Sequence, residues 1–496
     1  MESKREVYIR NTKKFLKLYA RSRMGLAGAG IVLFFLLMGA LAPYITPYDP
    51  IHSISLAQFR AKPEWLAKTG ETELPRNMYP VVDSGFSQSS SIQSWMIAQS
   101  SPSVRVAWDG NEGYPGILGV DPGSGPGSLL VYAKSADRPE TGAATLSYRF
   151  EYLYAPMRRF SAHVAYRGII DGSASYYVQM IIGRIDGEQL VLWESSHESV
   201  NTEWTIPRPS IDSTDASLKL RVFGTVSVEP SRLIFSSPGE YAVTLRVLME
   251  LSPRTTVRIF LDDVSIRVWG DAFGLLGTDN YGRDIFTQLA YGSRLSLIIG
   301  TVSAIIAVVL GLLVGLLSGY LGGRSDELLM RANDILLTIP SLPLIMVLVA
   351  VIGPSIWSIV VLIGFLGWMG IARLIRSQVL TLKEKAYVEA ARALGGDTKH
   401  IITRHLVPNV MTMAYTQLAL TVPNAIVTEA ALSFLGLGDP YVQTWGKMLH
   451  DVQYYGAVTE WWWAVPPGLC IAFLSLAFVL IGYALDEILN PKLRGR

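Results

Sequence analysis

Six long apolar stretches are the feature that most constrains the fold of this chain. All six fall within or above the length of about 17–25 residues that a helix needs to cross a bilayer. The stretches are 24–45, 295–321, 335–352, 356–372, 410–435 and 464–485. Only 17% of the 496 residues are charged, against about 25% in soluble domains. The sequence therefore predicts an α-helical membrane protein with six transmembrane helices.

The rest of the composition excludes several other classes of protein. Hydrophobic residues make up 50% of the chain, far more than a disordered chain contains. Cys470 is the single cysteine, which excludes a disulfide-stabilised secreted domain. The formal net charge of +2 provides no broad basic surface for nucleic acid. We therefore expect no nucleic-acid partner, and membrane lipid as the surroundings of the apolar stretches.

The first apolar stretch admits two interpretations. Basic residues, an apolar run and the small residues at 40–42 are also typical of a cleavable signal peptide. The apolar run is long for such a peptide, however, and its retention gives an even number of spans. We therefore interpret 24–45 as the first transmembrane helix.

The distribution of lysine and arginine predicts the orientation in the membrane. With a cytoplasmic N-terminus, four segments with 20 lysines and arginines lie on the inner side. These segments are 1–23, 322–334, 373–409 and 486–496. The short outer loops, 353–355 and 436–463, carry only Lys447. Because basic residues accumulate in cytoplasmic loops, we expect cytoplasmic termini in the cell (inner or plasma) membrane, with 46–293 extracytoplasmic.

The long segment between the first and second spans has a different character. It contains short runs in which apolar and polar residues alternate, as at Leu146, Tyr148 and Phe150. Alternation with a period of two, interrupted by turn residues, predicts antiparallel strands with one buried face. These runs predict an all-β domain of β-sandwich or jelly-roll type over 127–270, after a loop-rich lead-in over 46–126.

Two adjacent carboxylates interrupt the last alternating run. Asp262 and Asp263 lie between the runs 257–261 and 264–268. Carboxylate oxygens are ligands that calcium prefers, but solvated turn residues give the same pattern. Both interpretations stay open at this point, and no metal site is assigned.

The segment YVEAARALGGDTKHIITRHLVPN, residues 387–409, predicts a helix–turn–helix elbow below the membrane. Strong helix formers occupy 387–394, and Gly395 ends that helix because glycine readily adopts the left-handed conformation. Asp397 caps a second helix over 398–406, which Pro408 helps to stop. The alternative is that this segment is an ordinary cytoplasmic connector between two spans, with no special role.

This segment resembles the signature loop of ABC importer permeases, in which EAA is followed by three residues and then by glycine. The matching positions are Glu389, Ala390, Ala391, Gly395, Gly396, His405 and Pro408. The resemblance implies a type I permease fold in which this loop forms a coupling helix that docks on an ATPase subunit. It also implies four partners: a second homologous permease, two ATPase subunits and an extracytoplasmic solute-binding protein.

Two further segments resemble the oligopeptide/dipeptide/nickel branch of this family, in its second or "C"-type permease. They are GTDNYGRDIFTQLAYGSRLSL at 277–297 and ALSFLGLGDPYVQTWGKML at 431–449, and the C-terminal DEILNPKLRGR is similar to the family ending. The pre-helix motif falls on Gly277, Asp279, Gly282, Arg283 and Asp284. Within it, Asp284 is expected to cap a short interfacial helix, and Gly292 to bend the chain into the second span.

The resemblance covers 1–55 and 271–496. Together with the apolar and alternating runs, it gives the order of segments. A cytoplasmic segment 1–23 and the first span 24–45 are followed by the extracytoplasmic lead-in 46–126 and the inserted β domain 127–270. An interfacial pre-helix segment 271–294 then leads to a five-helix core 295–485 with its coupling loop 373–409, and to a cytoplasmic tail 486–496. Ordinary members have a short loop where the insertion lies, so the resemblance says nothing about the insertion's fold or role.

The candidate residues for the translocation path or gate are Glu429 and Pro423, both in the fifth predicted span. A carboxylate within the membrane is costly and usually faces the bundle interior or a water-filled cavity. The alternative is a residue near the interface that reaches the lipid headgroups.

Together these features predict the permease subunit of an ATP-driven importer. The chain has no GxxxxGK[ST] loop to hold phosphates. We therefore expect no enzyme activity and no cofactor on this chain, with ATP and magnesium on the partner ATPases. The resemblance favours oligopeptides or dipeptides as cargo, with oligosaccharides or nickel chelates as alternatives. A receptor with an extracytoplasmic β sensor domain is the alternative from another class.

Overall fold

The computed structural model describes residues 15–69, 72–116, 125–199, 201–208 and 211–489. The chain divides into two compact units. The helical unit comprises Met1–Ile54 and Arg283–Arg496, and the β unit comprises Ser55–Gly282.

The helical unit contains long apolar helices and shorter, more polar ones. In chain order they are α1 (Arg23–Ile45), α2 (Ile285–Leu321), α3 (Gly323–Thr338), α4 (Ser341–Ile352), α5 (Ile356–Lys383), α6 (Ala386–Ala393), α7 (Thr398–Ile401), α8 (Val407–Phe434), α9 (Trp445–Tyr454) and α10 (Trp461–Leu489). A π-helical turn, Ile402–Leu406, joins α7 to α8, so that Thr398–Phe434 forms one helix of 37 residues. In the described part of the chain, five helices are long and apolar enough to span a membrane.

The third predicted span, 335–352, is wrong as a continuous helix. Helices α3 and α4 meet there at an angle of 86°. Pro340 lacks an N–H and disfavours helical geometry at the residue before it, and Ile339 accordingly adopts an extended conformation. The bent pair raises the number of candidate spans to six if it counts as one.

The prediction of a separate interfacial helix with a bend at Gly292 is also wrong. Helix α2 runs without interruption from Ile285 to Leu321. Gly292 is needed for close packing instead, because a Cβ atom at that position would lie 2.7 Å from the Trp445 ring.

Helices α2 and α5 pack closely along a row of glycines. Added Cβ atoms at Gly311, Gly315 and Gly319 would lie 2.7–2.8 Å from side chains or backbone of α5. Small residues at such positions let two membrane helices approach each other closely. This contact therefore holds the centre of the helical unit together.

Replacing Gly315 by leucine should destabilise this contact. The new Cβ would lie 2.7 Å from the Ala372 carbonyl oxygen, and such overpacking costs about 1–3 kcal/mol or more. We expect Gly315→Leu to lower the thermal unfolding temperature of the detergent-purified protein. Gly30→Leu is the matched control, because a Cβ at Gly30 meets nothing within 4 Å. Equal unfolding temperatures for the two variants would contradict the packing argument.

The β unit contains two antiparallel sheets and a small two-stranded one. Its strands are β1 (Lys68–Thr69), β2 (Thr72–Glu73), β3 (Trp95–Gln99), β4 (Val104–Asp109), β5 (Ser128–Lys134), β6 (Glu140–Tyr152), β7 (Phe160–Asp171), β8 (Ala174–Arg184), β9 (Gln189–Glu194), β10 (Asn201–Thr205), β11 (Ile211–Asp212), β12 (Gly239–Leu251) and β13 (Thr256–Val268). One sheet has the order β10-β7-β13-β5-β4, with β11 also pairing with β7, and the other has the order β3-β6-β12-β8-β9. Two short helices, Ala216–Phe223 and Pro230–Ile234, complete the unit.

Alternate side chains of both sheets form one hydrophobic core. Val131 and Ile259 from the first sheet and Leu146, Val178 and Val243 from the second are fully buried in the same cluster. The alternating runs of the sequence thus correspond to strands with one buried face. The core extends into the segment predicted as a loop-rich lead-in, where β3 and β4 supply an edge strand to each sheet.

The two ends of the β unit are hydrogen-bonded to each other. The Ser55 N–H donates to the Tyr281 carbonyl over 2.8 Å, and the Lys62 N–H donates to the Asp271 carbonyl over 2.8 Å. A domain whose ends lie close together can be inserted into a loop with little disturbance of its host. This arrangement explains how a large unit can occupy a position between two spans.

The Asp262–Asp263 pair lies at a bulge within β13 and not in a turn between two strands. The register of β13 against β7 shifts between Asp262 and Ser265. Asp262 is fully buried and accepts a hydrogen bond of 2.6 Å from the Tyr114 N–H, whereas Asp263 pairs with His163 at 2.9 Å. In the described ranges no group of three or more His, Cys, Asp or Glu side chains could hold a metal ion.

Candidate functional site

The elbow, residues 386–406, has the helix–turn–helix form that its sequence predicts. Helix α6 ends at Ala393, and Gly395 follows in the left-handed conformation, with φ of +84°. The Asp397 side chain then caps α7 by accepting a hydrogen bond of 2.8 Å from the His400 N–H. The elbow thus has two arms, helix α6 and the segment 398–406, and the two glycines and the cap set the angle between them.

The prediction that Pro408 stops the second helix is wrong. The π turn before it bonds the Val407 N–H to the Ile402 carbonyl, five residues back instead of four. Pro408 then falls in the first turn of α8, where a missing N–H costs little. The Asn409 side chain donates a hydrogen bond of 2.6 Å to the His405 carbonyl, and the helix continues into the membrane span.

The signature positions of the elbow lie largely at the surface of the chain. Glu389, Ala390, Gly395 and Pro408 are exposed, and Ala391, Gly396 and His405 are partly exposed. Sequence reasoning missed the most exposed apolar side chain of this surface, Leu394, which is 89% exposed. Its position directly before the paired glycines was the available signal. The elbow thus presents an apolar tip beside small residues that allow close approach.

Buried side chains attach the elbow firmly to the membrane helices. Val388 from α6 and Ile401 and Leu406 from the second arm are buried in one apolar cluster with Ile375 and Val379 of α5. The same cluster includes residues of α2 and α8. Because packed interiors transmit displacement and compress little, a force on the elbow reaches three long helices.

Ion pairs fix α3 against α5 near the elbow. Arg376 donates two hydrogen bonds to the two carboxylate oxygens of Asp326, at 2.6 Å and 2.5 Å. Arg373 makes a single hydrogen bond to Asp334 across the same two helices, between side chains that are both exposed. Bidentate arginine–carboxylate pairs hold a defined orientation. Helix α3, the first helix of the bent pair, is therefore held in a defined orientation against α5.

The pre-helix motif has structural roles at each of its positions. Gly277 and Gly282 have positive φ values, and Cβ atoms there would lie 2.2 Å from the Ala61 carbonyl oxygen and 2.7 Å from that of Ala57. The Asp279 side chain accepts a hydrogen bond of 2.8 Å from the Tyr281 N–H. In the helical unit, Asp284 caps α2, as predicted, by accepting from the N–H and the hydroxyl of Thr287.

Arg283 belongs to a buried group that sequence reasoning did not find. It pairs with Asp451 of α9 at 3.3 Å, and both side chains are almost completely buried. Nearby in the same unit, the Trp445 ring donates a hydrogen bond of 3.0 Å to the Leu289 carbonyl, and burial lowers the pKa of Lys447. These contacts join the start of α2 to α9.

Glu429 and Pro423 both face the interior of the helix packing. Glu429 is 2% exposed and accepts a hydrogen bond of 2.7 Å from the Ser433 hydroxyl. Pro423 is buried as well. The carboxylate therefore does not reach the surface of the chain, and neither residue lines the cavity described next.

A polar cavity of about 420 Å³ lies between α2, α4, α5 and α8. Its polar lining residues are uncharged, and four of them follow one another along α8. The polar lining residues are Ser303 and Ser341 and, on α8, Gln417, Thr421, Asn424 and Thr428. The signal that could have revealed it is the spacing of the four α8 residues, which recurs every three or four positions and so marks one helix face.

The helices define a class of protein: a polytopic membrane protein with a surface elbow attached to its long helices. Residues 307–495 match the family model for the inner membrane component of binding-protein-dependent transport systems. Residues 12–63 match the N-terminal transmembrane domain of oligopeptide transport permease C.

Two bacterial permeases agree with these matches. The dipeptide transport system permease DppC of Bacillus subtilis is 39% identical over 246 residues, which cover 49% of this chain and 76% of the relative. The oligopeptide permease OppC of Escherichia coli K12 is 42% identical over 218 residues, covering 44% and 72%. A solved inward-facing MetNI methionine ABC transporter has 20% identity and a TM-score of 0.33, covering 41% of this chain and 94% of its own. This chain belongs to the permease family of binding-protein-dependent ABC importers, which confirms the resemblance drawn from its motifs.

Proposed function

We propose that this chain is the C-type permease subunit of a peptide importer and forms part of the path for oligopeptides or dipeptides. The peptide cargo is proposed from the names of the relatives, and no observation favours sugars, nickel chelates or a receptor role over it. The observation that carries the proposal is the elbow: exposed at its tip and buried at its base among α2, α5 and α8.

The proposed arrangement places six spans in the membrane, with the bent pair α3–α4 as the third. Both termini and the elbow are cytoplasmic, and the β unit, a β-sandwich of jelly-roll type, is extracytoplasmic. The positive-inside distribution of lysine and arginine supports this orientation. Two ATPase subunits bind from the cytoplasm and carry ATP and magnesium, and a second permease completes the path.

The proposed mechanism is mechanical. The ATPase binds the elbow at Glu389, Ala390, Ala391 and the tip residue Leu394. ATP-driven closure of the ATPase pair then moves this bound surface. Gly395, Gly396 and the Asp397 cap keep the two arms at a fixed angle, while His405 and Pro408 lie where the second arm joins α8. The movement then passes through the buried cluster to the spans, which alternate between inward-facing and outward-facing arrangements.

Uptake into proteoliposomes tests the function. The vesicles contain this chain, its partner permease and both ATPases, with the binding protein outside and radiolabelled tri-alanine as cargo. We expect uptake that requires ATP on the ATPase side and that persists when a protonophore collapses the proton gradient. Uptake that follows the proton gradient and ignores ATP would contradict the proposal.

The β unit is proposed to dock the binding protein. Its hydrogen-bonded ends allow a clean deletion, since Lys62 and Asp271 are already paired over 2.8 Å. We expect a variant in which a short Gly-Ser linker replaces 63–270 to keep its helical unit and its ATPase partners but to bind the binding protein more weakly and import less cargo. Titration of the binding protein against the reconstituted complex measures this. Unchanged affinity and uptake would remove the docking role.

A further inference from the structure

We infer that the polar cavity between α2, α4, α5 and α8 binds the main chain of the transported peptide during its passage. The inference rests on the proposed import of peptides and assigns the contact residues. The contacts are the α8 row, defined as Gln417, Thr421, Asn424 and Thr428.

The α8 row faces an open concave space. Asn424 is exposed, and the other three side chains are partly exposed. The opposite wall includes Gly370 of α5, where an added Cβ atom would meet nothing within 4 Å. A volume of about 420 Å³ falls in the range of about 300–1,000 Å³ that small-molecule sites occupy. There is room for a short extended stretch of peptide.

Polar atoms of the row are available to a ligand. Within the described ranges, the side chains of Gln417, Asn424 and Thr428 form no hydrogen bond with the rest of the chain. The Thr421 hydroxyl donates to the Gln417 carbonyl over 2.7 Å and keeps its lone pairs for an incoming donor. Polar groups left unpaired in hydrocarbon cost several kcal/mol, so this face of α8 does not lie against lipid tails.

The chemistry of the row matches a peptide main chain. Each amide side chain offers donors and an acceptor, and each hydroxyl offers one donor and two lone pairs. A peptide main chain presents one N–H and one C=O per ordinary residue. The cavity lining contains no charged residue, so it has no means of selecting the charge of cargo side chains. Such a site suits cargo that varies in sequence but not in backbone.

We therefore assign the path to the α8 row, which lies on the face of α8 adjacent to Glu429 and Pro423, and not to those two residues. Glu429 and Pro423 are buried against other helices. A helix of the second permease is the competing occupant of the cavity. With side chains it is about 10–12 Å wide, so it would lie across a concavity of this volume rather than fill it.

Cysteine accessibility tests the inference in the assembled transporter. Because Cys470 is the single cysteine of this chain, Cys470→Ser makes the chain cysteine-free, and it is assembled with partner subunits whose own cysteines have been replaced. In that background, Asn424→Cys and Thr428→Cys should react with a water-soluble methanethiosulfonate reagent, and tri-alanine with ATP turnover should slow the reaction. Val427→Cys is the matched control: it is 50% exposed but outside the cavity lining, and tri-alanine should leave its reaction rate unchanged.

A second variant pair measures the contribution to transport. Asn424→Leu with Thr428→Val removes hydrogen-bonding groups at nearly constant volume, and uptake of tri-alanine should fall about three- to tenfold per lost hydrogen bond. ATP hydrolysis stimulated by the binding protein should persist.

Three results would overturn the inference: no reaction at the row cysteines, no protection by tri-alanine, or loss of the partner permease from the double variant, which would make the cavity a subunit interface. If the wild-type complex shows no ATP-dependent uptake of tri-alanine, the proposed function itself fails. The two failures are therefore distinguishable.

Discussion

Replacing Leu394 by glutamate should abolish most transport while leaving the chain folded. The side chain is 89% exposed, so the change costs the isolated chain little. In the proposed complex the same position is covered by the ATPase, where burying a leucine contributes about 1.5–3 kcal/mol and an unpaired carboxylate is unfavourable. We expect uptake to fall at least about tenfold, together with weaker retention of the ATPase during purification.

Leu328→Glu is the control for this change. Leu328 is also strongly exposed, at 72%, but it lies on α3, outside the elbow. Uptake by the control should stay close to that of the wild type. If both variants lose uptake equally, or neither does, the elbow has no special role in coupling.

Replacing Asp451 by alanine should cause the largest loss of stability. Asp451 and Arg283 are nearly completely buried at 3.3 Å from each other, and removal of one partner leaves a buried charge with reduced compensation. Breaking such a pair costs about 3–5 kcal/mol, which should lower the unfolding temperature of the purified protein by about 6 °C or more. The measurement is a thermal scan in detergent.

The control for Asp451→Ala is an ion pair at the surface. Glu327 and Arg331 form one at 2.6 Å with both side chains largely exposed, and such pairs contribute about 0.3–0.5 kcal/mol. Glu327→Ala should therefore leave the unfolding temperature almost unchanged. A small shift for Asp451→Ala, similar to that of this control, would show that the buried pair does not hold α2 to α9.

The sequence predicted the helical unit well wherever one strong local signal decided the structure. Apolar runs located the long helices, and Asp284 and Asp397 each cap a helix that begins where the sequence predicted a helix start, although the helix after Asp284 runs on as α2. Pro340 and Pro408 show the limit of such signals. The first breaks a span at its extended neighbour, whereas the second is accommodated by a π turn, and a single residue cannot reveal which outcome its surroundings favour.

The β unit was predictable in its centre and not at its edges. Interior strands such as β6 bury alternate residues and therefore leave a clear period of two. The edge strand β3, WMIAQ, buries only Trp95, so its sequence shows no period of two. The polar cavity was missed for a related reason: its residues come from four helices, and only the three-dimensional packing brings Ser303, Ser341 and Asn424 together.

The most direct test of the central claim is cross-linking of the elbow tip. In the Cys470→Ser background, Leu394→Cys carries one thiol at the tip, and a short bifunctional reagent can connect it to a cysteine on the ATPase. The account predicts an ATPase-permease product from Leu394→Cys and none from Leu328→Cys, with a yield that changes when ATP hydrolysis is trapped. A transport-competent complex that gives no product at Leu394→Cys would contradict it.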